Sequence, residues 1–118
     1  MRYIVADDSK LARLSAIKSI KENVGNDVDI AEATNGQEAL ELASQADECI
    51  VILDLTMPIM NGYEALEKIL KANDKAKIVV VSADIQQKAQ ERVISLGAKL
   101  HVQKPINPQK MKEILTII

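Results

Sequence analysis

Apolar runs alternate along the chain with segments of helical spacing. Tyr3-Ile4-Val5-Ala6, Ile50-Val51-Ile52-Leu53 and Ile78-Val79-Val80-Val81 are aliphatic and β-branched, with no polar alternation. Such runs read as strands buried on both faces of a sheet. Asp29-Ile30-Ala31-Glu32-Ala33, closed by the turn Thr34-Asn35-Gly36, and Leu100-His101-Val102-Gln103 complete a set of five. Between them, Asp8 or Ser9 caps a helix running to about Val24-Gly25, with Leu11, Leu14, Ile17 and Ile20 at helical spacing. A second helix covers Glu38 to Ala46, with Ala39, Leu40 and Ala43 inward, and a third covers Gly62 to Ala72, with Ala65, Leu66, Ile69 and Leu70 as its apolar stripe. The fourth spans Ile85 to Leu96, with Ala89, Val93 and Leu96 inward and Gly97 as its stop. Asn107 caps the last, Pro108 suits its first turn, and Met111, Ile114, Leu115 and Ile118 line one face.

Five strands alternating with five helices predict an α/β fold: a doubly wound parallel sheet of order 2-1-3-4-5, flavodoxin-like, in one domain over residues 1–118. In that order the first and third strands are neighbours and the winding reverses beside them, where ligands of open α/β sheets bind. The residues that end the strands then acquire meaning. Asp7-Asp8 follow the first, Asp54 ends the third, Ser82 the fourth and Lys104 the fifth.

Three carboxylates at one sheet edge repel one another, and a hard divalent cation relieves the conflict. Magnesium suits one or two carboxylates completed by backbone oxygen and water. With Ser82 as hydroxyl donor and Lys104 as ammonium, the set matches phosphoryl transfer, which rests on positioning and on neutralising charge. Asp54 is then the nucleophile, forming an acyl phosphate.

Composition narrows the partners. A net charge of -2 over 118 residues argues against an electrostatic nucleic-acid binder. Cys49 is the single cysteine, so a disulfide framework or cysteine metal cluster is excluded, and it reads as a small buried side chain. The first residues are too short for a signal peptide and no stretch spans a bilayer, so a cytoplasmic, non-membrane protein is expected. Met57, Met60 and Met111 read as packing, and the Lys/Glu-rich helix stretches as solvated faces.

Asp7-Asp8, Leu53-Asp54 with Met57-Pro58 and Asn61-Gly62, Ser82-Ala83 and Lys104-Pro105 occur in this order at successive strand ends. In this the whole chain resembles the response-regulator receiver domain of two-component signalling, close to the stand-alone receivers of chemotaxis. The resemblance implies that Asp54 takes phosphate from a phosphohistidine on a sensor histidine kinase. It implies a Mg2+ held by Asp8, Asp54 and the backbone carbonyl of Thr56, with Asp7 acting mostly through water, and a cis peptide between Lys104 and Pro105. Catalysis is then confined to the protein's own phosphorylation and dephosphorylation. The resemblance further implies that Ser82 moves toward the phosphoryl group, that a residue on strand five follows, and that the face of helix four, strand five and helix five docks a downstream target. A phosphatase is a further candidate partner, and the protein is expected to be a monomer.

Several positions depart from the family pattern or stay open. The strand-five switch residue is usually aromatic, and here His101 stands there, either as a rotor with added pH dependence or as a surface-edge histidine. Thr56 and Asp84 flank the path of the hydrolytic water in receivers, although Asp84 reads equally as a helix cap. The chain stops as its last helix ends, so output is expected through protein contact. A receiver-like protein that binds partners constitutively, without phosphorylation, is the alternative. An aspartate-nucleophile phosphatase of the haloacid dehalogenase type wants an Asp where Thr56 stands. A flavin mononucleotide binder wants apolar or aromatic walls, and would find Asp7-Asp8 against its phosphate.

Overall fold

The computed structural model describes residues 1–83 and 85–118, so Asp84 lies outside the described residues. Five parallel strands, β1 (Arg2–Ala6), β2 (Asp29–Ala33), β3 (Cys49–Asp54), β4 (Ala76–Ser82) and β5 (Leu100–Gln103), stand in the order β2-β1-β3-β4-β5. Between and after them run α1 (Lys10–Val24), α2 (Gly36–Gln45), α3 (Gly62–Ala72), α4 (Gln87–Ser95) and α5 (Pro108–Ile117). Among the described residues no helix is long and apolar enough to cross a membrane.

Because side chains alternate along a strand, the three central strands each feed two cores. Ile4, Ala6, Val51, Leu53, Ile78 and Val80 pack with residues of α2, α3 and α4. Tyr3, Val5, Ile50, Ile52, Val79 and Val81 pack with residues of α1 and α5. β3 is buried along its whole length, as its unbroken apolar run requires, whereas β5 is half-buried and stands at the sheet edge beside β4.

Three helix details differ from the sequence reading. On α1 the buried positions are Ala16, Ser19 and Ile20, while Leu11 and Leu14 are 81% and 48% exposed. Leu11 lies nine positions before Ile20, about two and a half turns at roughly 3.6 residues per turn, so the two point to opposite sides. Small residues there bring the helix onto the sheet. α2 starts at Gly36 rather than Glu38, because the Asn35 side chain accepts the Glu38 N–H and caps the helix earlier. α4 starts at Gln87, two residues later than expected, and its N-cap Gln86 makes no side-chain capping bond. Its only buried residue among those described is Val93, with Ala89 half-buried.

Candidate phosphoryl-acceptor site

Strand register builds the site. Ala6 lies opposite Leu53, so Asp7 follows directly beside Asp54 at the point where the winding reverses. Asp54 lies opposite Val81 and Ser82 opposite Gln103, which puts Ser82 one step and Lys104 two steps further out than Asp54. The strand period then divides the residues between the two faces. Asp54 continues the Ile50-Ile52 set toward α1 and α5, whereas Ser82 continues the Ile78-Val80 set toward α4. His101, between Leu100 and Val102, shares the Ser82 side.

Two glycines let loops close on the end of β3. Gly62 donates its N–H to the Leu55 carbonyl at 2.9 Å, and a Cβ there would sit 2.4 Å from the Asp54 carbonyl oxygen. Gly36 donates to the Met60 carbonyl at 3.0 Å, tying α2 to the same loop. That loop buries Met57 and Met60 and leaves Ile59 exposed with φ of 67°.

The carboxylates of Asp7, Asp8 and Asp54 each offer an oxygen, all within 4.8 Å of one another. Asp7 and Asp54 are buried and Asp8 is exposed. The Lys104 ammonium lies 2.6 Å from Asp7 Oδ2 and 3.2 Å from Asp54 Oδ1. Asp7 Oδ1 accepts the Ser9 N–H at 2.9 Å. Burial pushes the Asp54 carboxyl up from its ordinary range, the Asp7 charge adds to this, and Lys104 only partly offsets it. Burial opposes the Lys104 charge, but the bonds and charges of Asp7 and Asp54 outweigh it and hold the ammonium above its usual range. Hard oxygen donors gathered around an under-neutralised acid fit a divalent cation such as Mg2+.

Above the acids opens a cleft of about 560 Å³, whose lining includes Asp8, Asp54, Thr56, Ser82 and Lys104. All the acids, Ser82, Thr56 and Lys104 therefore meet at one opening, as their positions at strand ends predict. Ser82 Oγ and His101 Nε2 are 2.8 Å apart, so His101 turns inward and is half-buried rather than a surface-edge side chain. The Lys104–Pro105 peptide is cis, as the resemblance implies.

A receiver-family model, the response regulator receiver domain, matches residues 3–116. The chain belongs to the response-regulator receiver family. The chemotaxis protein CheY of Thermotoga maritima is 40% identical over 114 residues, covering 97% of this chain and 93% of that protein. Among solved structures, Vibrio cholerae CheY4 superposes with a TM-score of 0.86 over 99% of this chain and 98% of its own, at 22% identity, a likeness of fold. The CheX-CheY-BeF3-Mg+2 complex of Borrelia burgdorferi contains a chain matched with a TM-score of 0.82 at 25% identity, covering 98% of this chain and 87% of that one. The acid cluster is accordingly the phospho-acceptor site of a receiver, placed to coordinate Mg2+ and coupled to a conformational switch. A receiver acts on its own phosphoryl group rather than turning over a separate substrate.

Three residues of the site's surroundings carried no signal of their own in the sequence. Arg13 donates from Nη1 to the Asp7 carbonyl at 2.9 Å and from Nε to Glu32 at 2.9 Å, strapping the acid turn to the end of β2. Tyr63 lines the cleft, and the Arg92 guanidinium of α4 lies 3.9 Å from its ring centroid. Each reads in the sequence as an ordinary helix residue, because the contacts end on a backbone carbonyl or join segments far apart in the chain.

Proposed function

We propose that residues 1–118 form a receiver domain in which Asp54 accepts a phosphoryl group from a phosphohistidine of a sensor kinase. The observation that carries this is the Lys104 ammonium seated on Asp7 and Asp54, with Asp8 beside them facing the cleft. A carboxylate oxygen of Asp54 bonds to phosphorus while the donor's N–P bond breaks, its electron pair staying on the imidazole, which takes a proton from solvent. Lys104 offsets charge on the phosphoryl oxygens. Both Asp7 oxygens are engaged, by Lys104 and by the Ser9 N–H, which supports Asp8, Asp54 and the Thr56 carbonyl as the direct Mg2+ ligands, with Asp7 acting through water. The ion, when bound, supplies positive charge against the phosphoryl oxygens.

Ser82 then exchanges His101 for a phosphoryl oxygen. His101, released from that bond, follows, and the face of α4, β5 and α5 is remodelled for a downstream protein. The likeness to proteins named for chemotaxis supports a chemotaxis-type pathway with a kinase, a target and a phosphatase as partners. The test is incubation with acetyl phosphate and Mg2+ followed by intact-mass measurement. One phosphoryl group gained with Mg2+ and absent in Asp54→Asn is the expected result. No gain, from acetyl phosphate or from a phosphorylated kinase domain, overturns the reading and favours constitutive binding.

A further inference from the structure

We propose that Lys110, on α5 and outside the cleft, is a positioning residue that sets where the Lys104 ammonium falls; the inference rests on Lys104 serving the acceptor site. Lys110 Nζ donates to the Gln103 carbonyl at 3.0 Å and to the Pro105 carbonyl at 3.0 Å. These are the carbonyls on either side of Lys104, so one ammonium grips the backbone before and after it. An ammonium has three donors and no acceptor, and its bonds to carbonyls are charge-assisted.

Local rules argue against a lysine at this position for its own helix. Asn107 caps α5 and accepts the Lys110 N–H at 2.8 Å, so Lys110 sits in the first turn. A cation there opposes the helix dipole, and the first turn of α5 carries no acidic residue to compensate. A residue that costs its own helix and is turned back onto a neighbouring loop marks a positional requirement.

The loop needs such a grip. β5 has four residues and stands at the sheet edge, beside β4. Around Lys104, its own N–H bonds the Ser82 carbonyl at 2.8 Å, the Gln103 side chain the Ala83 carbonyl at 3.2 Å and Ser15 Oγ the Ile106 carbonyl at 3.4 Å. From this short edge a long flexible side chain must deliver its ammonium onto two carboxylates at once. Small displacements of a positioned charge cost large factors in rate.

The experiment compares the parent protein, Lys110→Gln and Lys110→Arg, each with Lys104 intact and with Lys104→Ala. The first readout is the rate of Asp54 phosphorylation by acetyl phosphate with Mg2+. Lys110→Gln is expected to slow it about tenfold with Lys104 present and at most about twofold in Lys104→Ala, with partial rescue by Lys110→Arg. The second is amide exchange of the Lys104 N–H by NMR, which needs neither phosphate nor metal, and is expected to speed up about tenfold or more in Lys110→Gln. Equal slowing in both Lys104 backgrounds, or unchanged Lys104 amide protection, overturns the proposal. Failure of the parent protein to be phosphorylated on Asp54 instead counts against the acceptor reading, while the exchange measurement still decides whether Lys110 holds the loop. Thermal melts of every variant separate a local effect from a loss of folding, and Lys110→Arg retains the charge where Lys110→Gln folds poorly.

Discussion

The two sides of the reaction cleft are built differently. On one, Asp54 ends a strand buried along all of β3, closed over by a loop that Gly62 and Gly36 let approach to van der Waals limits. On the other, Ser82 and His101 face α4, a helix with Val93 as its only buried residue among those described and no side-chain N-cap, next to the half-buried edge strand β5. Asp54 sits where displacement is costly, and His101, on the half-buried edge strand, sits where it is cheaper. Under the proposed function, the residue that meets phosphorus at a fixed distance lies on the first side, and the pair proposed to report the event lies on the second.

Substitutions can test this division, beginning with the most damaging. Gly62→Ala puts a Cβ 2.4 Å from the Asp54 carbonyl oxygen and 2.6 Å from Leu55 Cα, both backbone atoms that cannot swing away. It is expected to destabilise by on the order of 3 kcal/mol in denaturant unfolding. Lys104→Met removes the cation between Asp7 and Asp54 and is expected to cost roughly 1–3 kcal/mol by the same measurement.

Asp54→Asn acts in the opposite direction. The folded carboxyl titrates above its unfolded value, so the native state bears a cost when Asp54 ionises. The cost is full above the folded pKa, shrinks as pH falls toward the unfolded value, and is absent below it. The variant is therefore expected to melt a few degrees higher near neutral pH, with the gap closing as the solution is acidified through the carboxylate range. On the pliable side, Arg92→Met loses the contact with Tyr63 and is expected to cost about 0.5–1 kcal/mol, read as faster amide exchange confined to α4. Leu11→Gln, on the exposed face of α1, is expected to change stability by no more than about 0.5 kcal/mol.

How far the fold was legible depends on how local its signals are. The strands of the sheet and their order follow from short apolar runs separated by helical spacing, and the site follows from which polar residue ends each run. Two leucines at a helical interval, Leu11 and Leu14, define a face without saying which face is inward; Ala16 and Ser19, small enough to approach the sheet, decide it. α4 starts two residues later than the sequence predicts, because Ile85 has the character of a helix residue and nothing near it in the sequence marks the later start. The His101–Ser82 bond joins residues 19 apart, and the grips of Arg13 and Lys110 end on backbone carbonyls, which a sequence does not display. Side chains that act on backbone are read as solvated charge until the fold brings the carbonyl to them.

The division between a fixed acceptor and a movable reporter is tested most directly by amide hydrogen exchange with and without saturating fluoroberyllate and Mg2+, Asp54→Asn serving as the unresponsive control. The expected result is altered protection in α4, β5 and the residues around Ser82, with β1 and β3 unchanged apart from the amides touching the ligand. Changes spread evenly over β1 and β3, or Asp54-dependent binding that leaves α4 and β5 unaltered, would contradict it.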